Sequence, residues 1–486
     1  MPNPSRTPMD RSAPPPLVAL DRVNVHLDGR HVLHDVSWRL ERGEQWAIVG
    51  ANGSGKSTLL RVIRGDCWID RDGGMRTYAL DGVAEPVARA APRIGYVSPE
   101  LHERYVRLAL PFDGRTLIAS GLHDAIYLPR GVERAEAERV EALARRLDIV
   151  TLLERPIGAL SFGELRVLLV ARALVREPRV LVLDECANGL DRRMRARLLD
   201  VLQRAASATH VIAATHRADD VPATTTMHAV LDGGRIVSAG AGPPPRLART
   251  AASPQSAAPA RGRDELVAIR DADVYRGERR ILRDVAWTLH RGEHCVVRGR
   301  NGAGKSTFAG LVAGTVPAAL GADVRRFGKS GPFDVWELKR RIAHVSDALQ
   351  IAYDVNPIVE RVIASGFVAS IGVLHEPDAA QRSAVHDVMR ALRLQHLAGR
   401  RFLGLSFGER RKVLIARGLV HQPDLLILDE IWGGLDAEFR ATLGAQLDRL
   451  VRGGTTVMLI SHHDDDVPHF VRRACTIERG RVLEAS

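Results

Sequence analysis

At 486 residues, 45% hydrophobic and 26% charged, the chain is long enough for two to four domains that each bury a substantial core. Its net charge of +11 suits an anionic partner, nucleic acid or a membrane surface, but the basic residues are scattered and form no block, so charge alone argues weakly for either. Cys67, Cys186, Cys295 and Cys475 lie too far apart for zinc-ligand pairs or a disulfide framework, and no apolar run reaches membrane-spanning length, which argues against a metal-cluster cofactor and a transmembrane protein and for a cytoplasmic one.

Residues 1–16 are proline-rich, without the apolar core of a signal peptide, and read as a disordered leader. Leu17–Leu40 alternates apolar and polar residues, the pattern of a half-exposed antiparallel sheet. The apolar run Trp46–Val49 then delivers a glycine-rich loop, and a helical pattern follows at Leu59-Leu60. Arg93–Val97 is a short strand candidate before a polar bend and a mostly helical stretch. Arg179–Leu183 reads as a buried strand closed by Asp184-Glu185, and His210–Ala214 as a strand running toward His216. A Pro/Ala/Ser/Arg-rich stretch without apolar period, 241–264, reads as a flexible linker. The whole series then recurs: Cys295–Val297, Arg341–Val345, Asp424–Leu428 before Asp429-Glu430, and Thr456–Ile460 before His462. Val385, Val388, Met389 and Leu392 mark one apolar helix face in the second copy. Landmarks keep their offset, 249 for Lys56 and Lys305 and 245 for Asp184 and Asp429, so the chain is a duplication of a whole domain, 17–240 and 265–486.

The loops carry the chemistry. Gly50, Ala51, Asn52, Gly53, Ser54, Gly55, Lys56, Ser57 and Thr58 match the P-loop pattern between a strand and a helix, and Gly299, Arg300, Asn301, Gly302, Ala303, Gly304, Lys305, Ser306 and Thr307 match it again. Successive N–H groups of such a loop curl around phosphate oxygens, and the helix that follows points its positive end at the same anion. The lysine reaches the β/γ-phosphates, and Ser57 or Ser306 offers a hydroxyl to Mg²⁺. Only five of the 69 basic residues are lysine, yet both loops keep one, as a phosphate cradle requires a compact ammonium. Asp184 and Asp429 stand where a Mg²⁺ ligand belongs. Glu185 and Glu430 stand where a residue would polarise attacking water.

Leu160-Ser161-Phe162-Gly163-Glu164 and Leu405-Ser406-Phe407-Gly408-Glu409 precede arginine-rich helical segments and have the form of a helix N-cap with Glu three residues on. At these residues the chain resembles the ATP-binding-cassette (ABC) ATPases, whose signature is Leu-Ser-Gly-Gly-Gln; both copies depart from it at the third and fifth positions. The resemblance covers nearly all but leader and linker, including Gly189-Leu190-Asp191, Gly434-Leu435-Asp436, and His216 and His462 as catalytic switch histidines at the γ-phosphate. It implies an α/β fold of two P-loop NTPase domains, each with a RecA-like core, an antiparallel β-subdomain and a helical subdomain. It further implies hydrolysis of ATP at two composite sites formed by head-to-tail pairing within the chain: the Lys56 site faces Ser406 and Gly408, and the Lys305 site faces Ser161 and Gly163. For the aromatic on which the family stacks adenine, the resemblance offers Tyr275 and, by the offset, His26, either of which could equally be a solvent-facing strand residue.

One departure bears on partners. The family's Q-loop glutamine, which senses Mg²⁺ and couples to a membrane subunit, is replaced by Pro99 and Asp347. Asp347 would accept from Mg²⁺-bound water where Pro99 offers nothing, so the Lys305 site is expected to carry most hydrolysis. Arg361-Val-Ile-Ala-Ser-Gly-Phe367, Leu-Ser-aromatic-Gly and Ser461-His-His463 make the chain most similar to the soluble twin-cassette proteins of molybdenum transport and photorepair (ModF/PhrA-like). That resemblance implies a membrane permease subunit as partner and a peripheral place at the inner face of the membrane. The other class it leaves open is a free-standing ATPase acting on a nucleic acid or ribonucleoprotein.

Overall fold

The structure, a computed structural model, describes residues 14–484 apart from 28–29, 52, 109–110, 129, 191, 216–219, 245–263, 331–332, 354, 372–375, 433–434, 436 and 462–466. The alternating stretch near the start forms β1 (Val18–Leu27) and β2 (Arg30–Leu40), an antiparallel pair. β3 (Trp46–Val49) leaves for a second sheet, and β4 (Met75–Tyr78) returns to pair with β1. β5 (Ile94–Val97), β6 (Val180–Asp184), β7 (His210–Thr215), β8 (Met227–Asp232) and β9 (Arg235–Ala241) join β3 in the order β5-β6-β7-β3-β8-β9, parallel except at β9. β6 and most of β7 are apolar and buried, as strands covered on both faces must be.

The second copy repeats this strand for strand. β10 (Glu265–Arg276), β11 (Arg279–His290), β13 (Asp323–Arg326) and β14 (Lys329–Ser330) make the antiparallel sheet, with β12 (Cys295–Arg298) passing to the core. There β15 (Ile342–Val345), β16 (Leu425–Asp429), β17 (Thr456–Ile460), β18 (Arg473–Glu478) and β19 (Arg481–Glu484) give the order β15-β16-β17-β12-β18-β19. The duplication, the two-sheet division and the buried strands ending in Asp-Glu therefore stand as the sequence suggested. The linker reading began slightly early: Gly240 and Ala241 still pair with His228 and Met227 in β9, and 245–263 lie outside the described residues. Where a polar bend was expected after β5 and β15 there is none. Helices start at once, Pro99–Leu108 and Asp347–Ala352, because Ser98 and Ser346 each accept the N–H three residues on, at 3.4 and 3.3 Å. Proline at the first helical position loses no bond there.

The helical subdomains are built around one polar network, made twice. Tyr105, fully buried, contacts Ser120 Oγ at 3.2 Å; Ser120 donates to Leu117 O at 2.7 Å and accepts from Arg172 Nε at 3.1 Å. Tyr353, Ser365, Val362 and Arg417 repeat it at 3.2, 2.6 and 2.9 Å. A Cβ on Gly121 or Gly366 would stand 2.1 or 2.2 Å from the carbonyl of that arginine, so glycine is required beside the serine. Ala-Ser-Gly in both halves is thus a packing requirement of the interior.

Candidate active sites

Each P-loop joins a core strand to a helix, Lys56–Arg64 or Lys305–Ala313, at the carboxyl edge where α/β sheets bind ligands. Gly55 and Gly304 adopt φ of 99° and 108°, a left-handed turn that a side chain would strain, and so bring the loop's N–H groups round to the helix start. Lys56 is buried and curls back on its own loop, donating to Gly50 O at 2.9 Å and Ala51 O at 2.8 Å, with Glu185 Oε1 3.5 Å away. Lys305 does the same with Gly299 O at 3.0 Å and Arg300 O at 3.3 Å, reaches Asn301 Oδ1 at 3.2 Å, and lies 3.1 Å from Glu430. Each loop therefore sits against the Asp-Glu pair of its own copy. Asn52 lies outside the described residues.

Asp184 and Asp429 are almost wholly buried, and Oδ1 of each has no hydrogen-bond partner. Ser57, at the start of the P-loop helix, hydrogen-bonds Asp184. An orphaned carboxylate oxygen beside a serine hydroxyl is a hard-oxygen donor set, which suits Mg²⁺. Burial, reinforced by the adjacent Glu185 and by Glu100, pushes the Asp184 carboxyl up to about 7. The two sites differ in what else faces this aspartate: Tyr96 donates to Asp184 Oδ2 at 3.3 Å, whereas His344 stands 3.9 Å from Asp429. Glu185 and Glu430 hold φ of 47° and 52°, and their N–H groups donate to Ala214 O and Ile460 O, both at 3.0 Å. That left-handed turn swings each glutamate off the strand end toward the P-loop lysine.

The signature segments form capping boxes. Glu164 N–H donates to Ser161 Oγ at 3.3 Å while Ser161 N–H donates to the Glu164 carboxylate at 2.8 Å, and Ser406 with Glu409 repeats this at 3.3 and 2.9 Å. Arg155 and Arg400 clamp the same glutamates, which explains glutamate in place of glutamine. Burial raises Glu164, but its bonds from Ser161 and Arg155 outweigh this and hold the carboxyl below the usual range. Phe162 and Phe407 are explained too: Phe162 lies on His102, with ring centroids 4.1 Å apart, and carries the Arg166 guanidinium 5.2 Å from its centroid, as Phe407 carries Arg411 at 4.8 Å.

Cassette meets cassette at the helices after β5 and β15, a contact that sequence reading missed. Glu103 on the first pairs with Arg410 of the second signature helix at 3.0 Å and accepts from Gln350 Nε2 at 2.9 Å, all three residues buried. Arg411, the next residue, takes the Asp347 carboxylate in an ion pair. Asp347 is therefore already engaged by Arg411, a partner that the expectation of a carboxylate awaiting Mg²⁺-bound water did not include. Arg411 is itself buried, so its charge needed a counter-ion, and the partly exposed Asp347 supplies it. No hydrogen bond among the described residues joins Ser161 or Ser406 to the opposite P-loop. The histidines His216 and His462, with Asp191, Gly434 and Asp436, lie outside those residues. Of the two residues expected to stack on adenine, Tyr275 is half exposed, but the ring of His26 already stacks on His31, centroids 4.2 Å apart, and binds Asp70.

A family model described as ABC transporter matches residues 33–188 and 282–432. The chain belongs to that family and is an ATP-binding, ATP-hydrolysing protein with two cassettes in tandem. The ABC transporter ATP-binding protein ModF of Escherichia coli (strain K12) is 32% identical over 88% of this chain and 90% of its own. An uncharacterized ABC transporter ATP-binding protein of Schizosaccharomyces pombe is 24% identical, covering 94% and 97%. Among solved structures, an archaeal ribosome recycling factor, aABCE1, in complex with the stalk protein aP1, superimposes with a TM-score of 0.57 at 20% identity, over 95% of this chain and 89% of that one, a likeness of fold alone. No helix among the described residues is long and apolar enough to cross a membrane.

Proposed function

We propose that the chain closes two ATP sites upon itself, each made of one cassette's P-loop and Asp-Glu pair and the other's signature. The observation that supports this is the buried Glu103–Arg410–Gln350 contact, which docks the second signature helix against the first cassette. The loops 50–58 and 299–307 cradle the phosphates, and Lys56 and Lys305 exchange main-chain carbonyls for phosphate oxygens. Glu185 and Glu430 orient the attacking water, His216 and His462 contact the γ-phosphate, and Ser161, Gly163, Ser406 and Gly408 close over ATP from the opposite side. Ser57 with Asp184, and Ser306 with Asp429, hold Mg²⁺, which when bound offsets the phosphate charge. In a Glu185→Gln, Glu430→Gln chain that binds without hydrolysing, ATP should reduce the radius of gyration at every protein concentration, because the linker keeps the halves at high effective concentration. Compaction that grows with protein concentration would place the sites between chains instead.

In the cell, this protein serves as the ATP-binding component of a transporter of the molybdate type, at the inner face of the membrane; the likeness to ModF supports that reading. Against it stands the helix-starting Pro99 and Asp347 where a coupling glutamine belongs, which favours a free-standing ATPase on a nucleic-acid or ribonucleoprotein partner. Pull-down from membrane and soluble fractions separates the two: a co-purifying permease supports the first, and RNA or ribosomal protein in its place replaces it with the second.

A further inference from the structure

At the tip of β1 and β2 the first cassette carries a group of residues that nucleotide chemistry does not require. His26 and His31 are direct cross-strand partners, which sets their imidazoles side by side, and Asp70 lies against them. One donor atom from each of the three lies within 4.8 Å of the others. Asp70 is fixed by the main chain: its N–H donates to Asn24 O at 3.0 Å, and its Oδ1 accepts from His26 N–H at 3.2 Å.

The tautomers follow from the neighbours. Asn24 Oδ1 also accepts the N–H of Asp35 at 3.0 Å, and its Nδ2 donates to Arg22 O at 3.0 Å, so Oδ1 is the carbonyl oxygen. His31 Nε2, 2.9 Å from that oxygen, must therefore carry the proton, which leaves Nδ1 of the neutral ring as a bare lone pair. His26 Nδ1, 2.7 Å from the Asp70 carboxylate, carries the proton of the metal-free ring, and it is this proton that a cation shared with Asp70 displaces. An imidazole whose second nitrogen is tied to a carbonyl, as in His31, is the form in which histidine ligates metals.

The second cassette supplies an internal control. The same turn holds Tyr275 for His26, Arg280 for His31, Asp273 for Asn24 and Ala319 for Asp70; Ala319 N–H donates to Asp273 O at 2.8 Å just as Asp70 does to Asn24. There Arg280 closes an ion pair with Asp273 at 2.5 Å, and the position of Asp70 has no carboxylate. Four positions differ together, and the set in the first copy replaces a closed ion pair by two imidazoles and an acid.

We infer that His26, His31 and Asp70 form a site for one late first-row divalent cation of the Zn²⁺ class. Imidazole donors select such ions over Mg²⁺ or Ca²⁺. Bonds of about 2.0–2.2 Å put ligand atoms roughly 3.4 Å apart, so His26 and Asp70 part slightly from their 2.7 Å contact and the two exposed rings, stacked at 11°, turn out of parallel to aim both lone pairs at the ion. The test is calorimetric titration of the full chain, stripped of metal and free of nucleotide, with ZnCl₂. The wild type takes up one more equivalent than His31→Ala, and Asn24→Ala, which frees the His31 tautomer, keeps the site but weakens it about tenfold. His31→Gln, which keeps the size of the side chain, guards against a folding defect in the alanine variant. Equal stoichiometry and affinity in wild type, His31→Ala and His31→Gln overturns the site, as does a wild type that binds no Zn²⁺.

Discussion

The two cassettes are alike where they are closed and different where they face something. Inside, the Tyr105–Ser120–Arg172 network and its repeat Tyr353–Ser365–Arg417 agree to within 0.2 Å bond by bond, and both capping boxes are clamped by an arginine nine residues upstream. At the facing surfaces the copies part: Leu165 against Arg410, Pro99 against Asp347, Tyr96 against His344, His26 against Tyr275. Interiors leave a duplicated domain little choice, because each side chain must fit its neighbours at crystal-like density. Rims are free to specialise, so the differences between copies mark the places where this chain has acquired two unequal halves.

The broadest test of the shared part is to remove both lysines. Lys56→Ala with Lys305→Ala should abolish steady-state ATP hydrolysis while leaving the circular dichroism spectrum unchanged, and turnover surviving in that double variant would refute catalysis at the P-loops. Each single variant then reports the share of the remaining site.

Next in size is the contact unique to one direction. Glu103 and Arg410 are each 5% exposed, and Leu165 and Ile351 hold the equivalent places in the opposite copies. Arg410→Leu alone strands Glu103, whose carboxyl burial has already raised, and should cost about 3–5 kcal/mol in denaturant unfolding. Glu103→Ile with Arg410→Leu writes the other copy's apolar residues into the interface and should recover most of that loss. If the double variant is as unstable as the sum of the singles, the pair does not act as a unit.

How much of this was readable beforehand depended on distance along the chain. Gly50–Thr58, Asp184-Glu185 and Ser161 with Glu164 are local, their partners within a few residues, and the spacing itself states the geometry. Strand ends were off by a residue or so, since a charged residue such as Asp184 can close a strand from inside it. The partner of Asp347 could not be read. Arg411 meets it only after helices fold together, and a carboxylate at a metal-sensing position looks the same whether it awaits an ion or an arginine. Pro99 misled in the other direction, because a proline after a strand suggests a bend, while Ser98 before it makes a helix start. A signal for the cassette contact did exist: aligning the copies on their signatures sets Leu165 beside Arg410, an unexplained charge on an otherwise apolar position.

A tenfold effect is expected from Asp184. With Glu430→Gln, only the Lys56 site should turn over, and the carboxyl proposed to hold its metal is pushed up to about 7, by burial first. The ionised form is the one that binds Mg²⁺, so at limiting Mg²⁺ the rate should rise about tenfold from pH 6 to pH 8. The sign reverses for stability. An unfolded aspartate ionises near 3.9, so the raised group's contribution is fully present below about pH 4 and is lost as pH rises through about 7. Asp184→Asn, which cannot ionise, should therefore raise Tm at pH 8 while disabling the Lys56 site. A flat rate profile in Glu430→Gln, or no gain in Tm, would show that Asp184 is ionised across the range.

The smallest expected effect concerns the two residues expected to stack on adenine, and it sharpens the comparison most because their rings are engaged differently. Tyr275 offers a half-exposed aromatic ring, and stacking a base on such a ring contributes about 1–3 kcal/mol. His26 offers a smaller ring with one face on His31 and its Nδ1 tied to Asp70, so less surface is left for a base. With Lys56→Ala silencing the first site, Tyr275→Ala should weaken binding of a fluorescent ATP analogue about tenfold, the equivalent of ~1.4 kcal/mol. With Lys305→Ala silencing the second, His26→Ala should cost no more than about threefold, under 1 kcal/mol. His26→Tyr in that background should then strengthen binding, since it installs the second copy's ring. Equal losses from the two alanine variants would mean that His26 stacks on adenine as well as Tyr275 does, and a loss from His26 alone would mean that the base lies elsewhere in the second cassette.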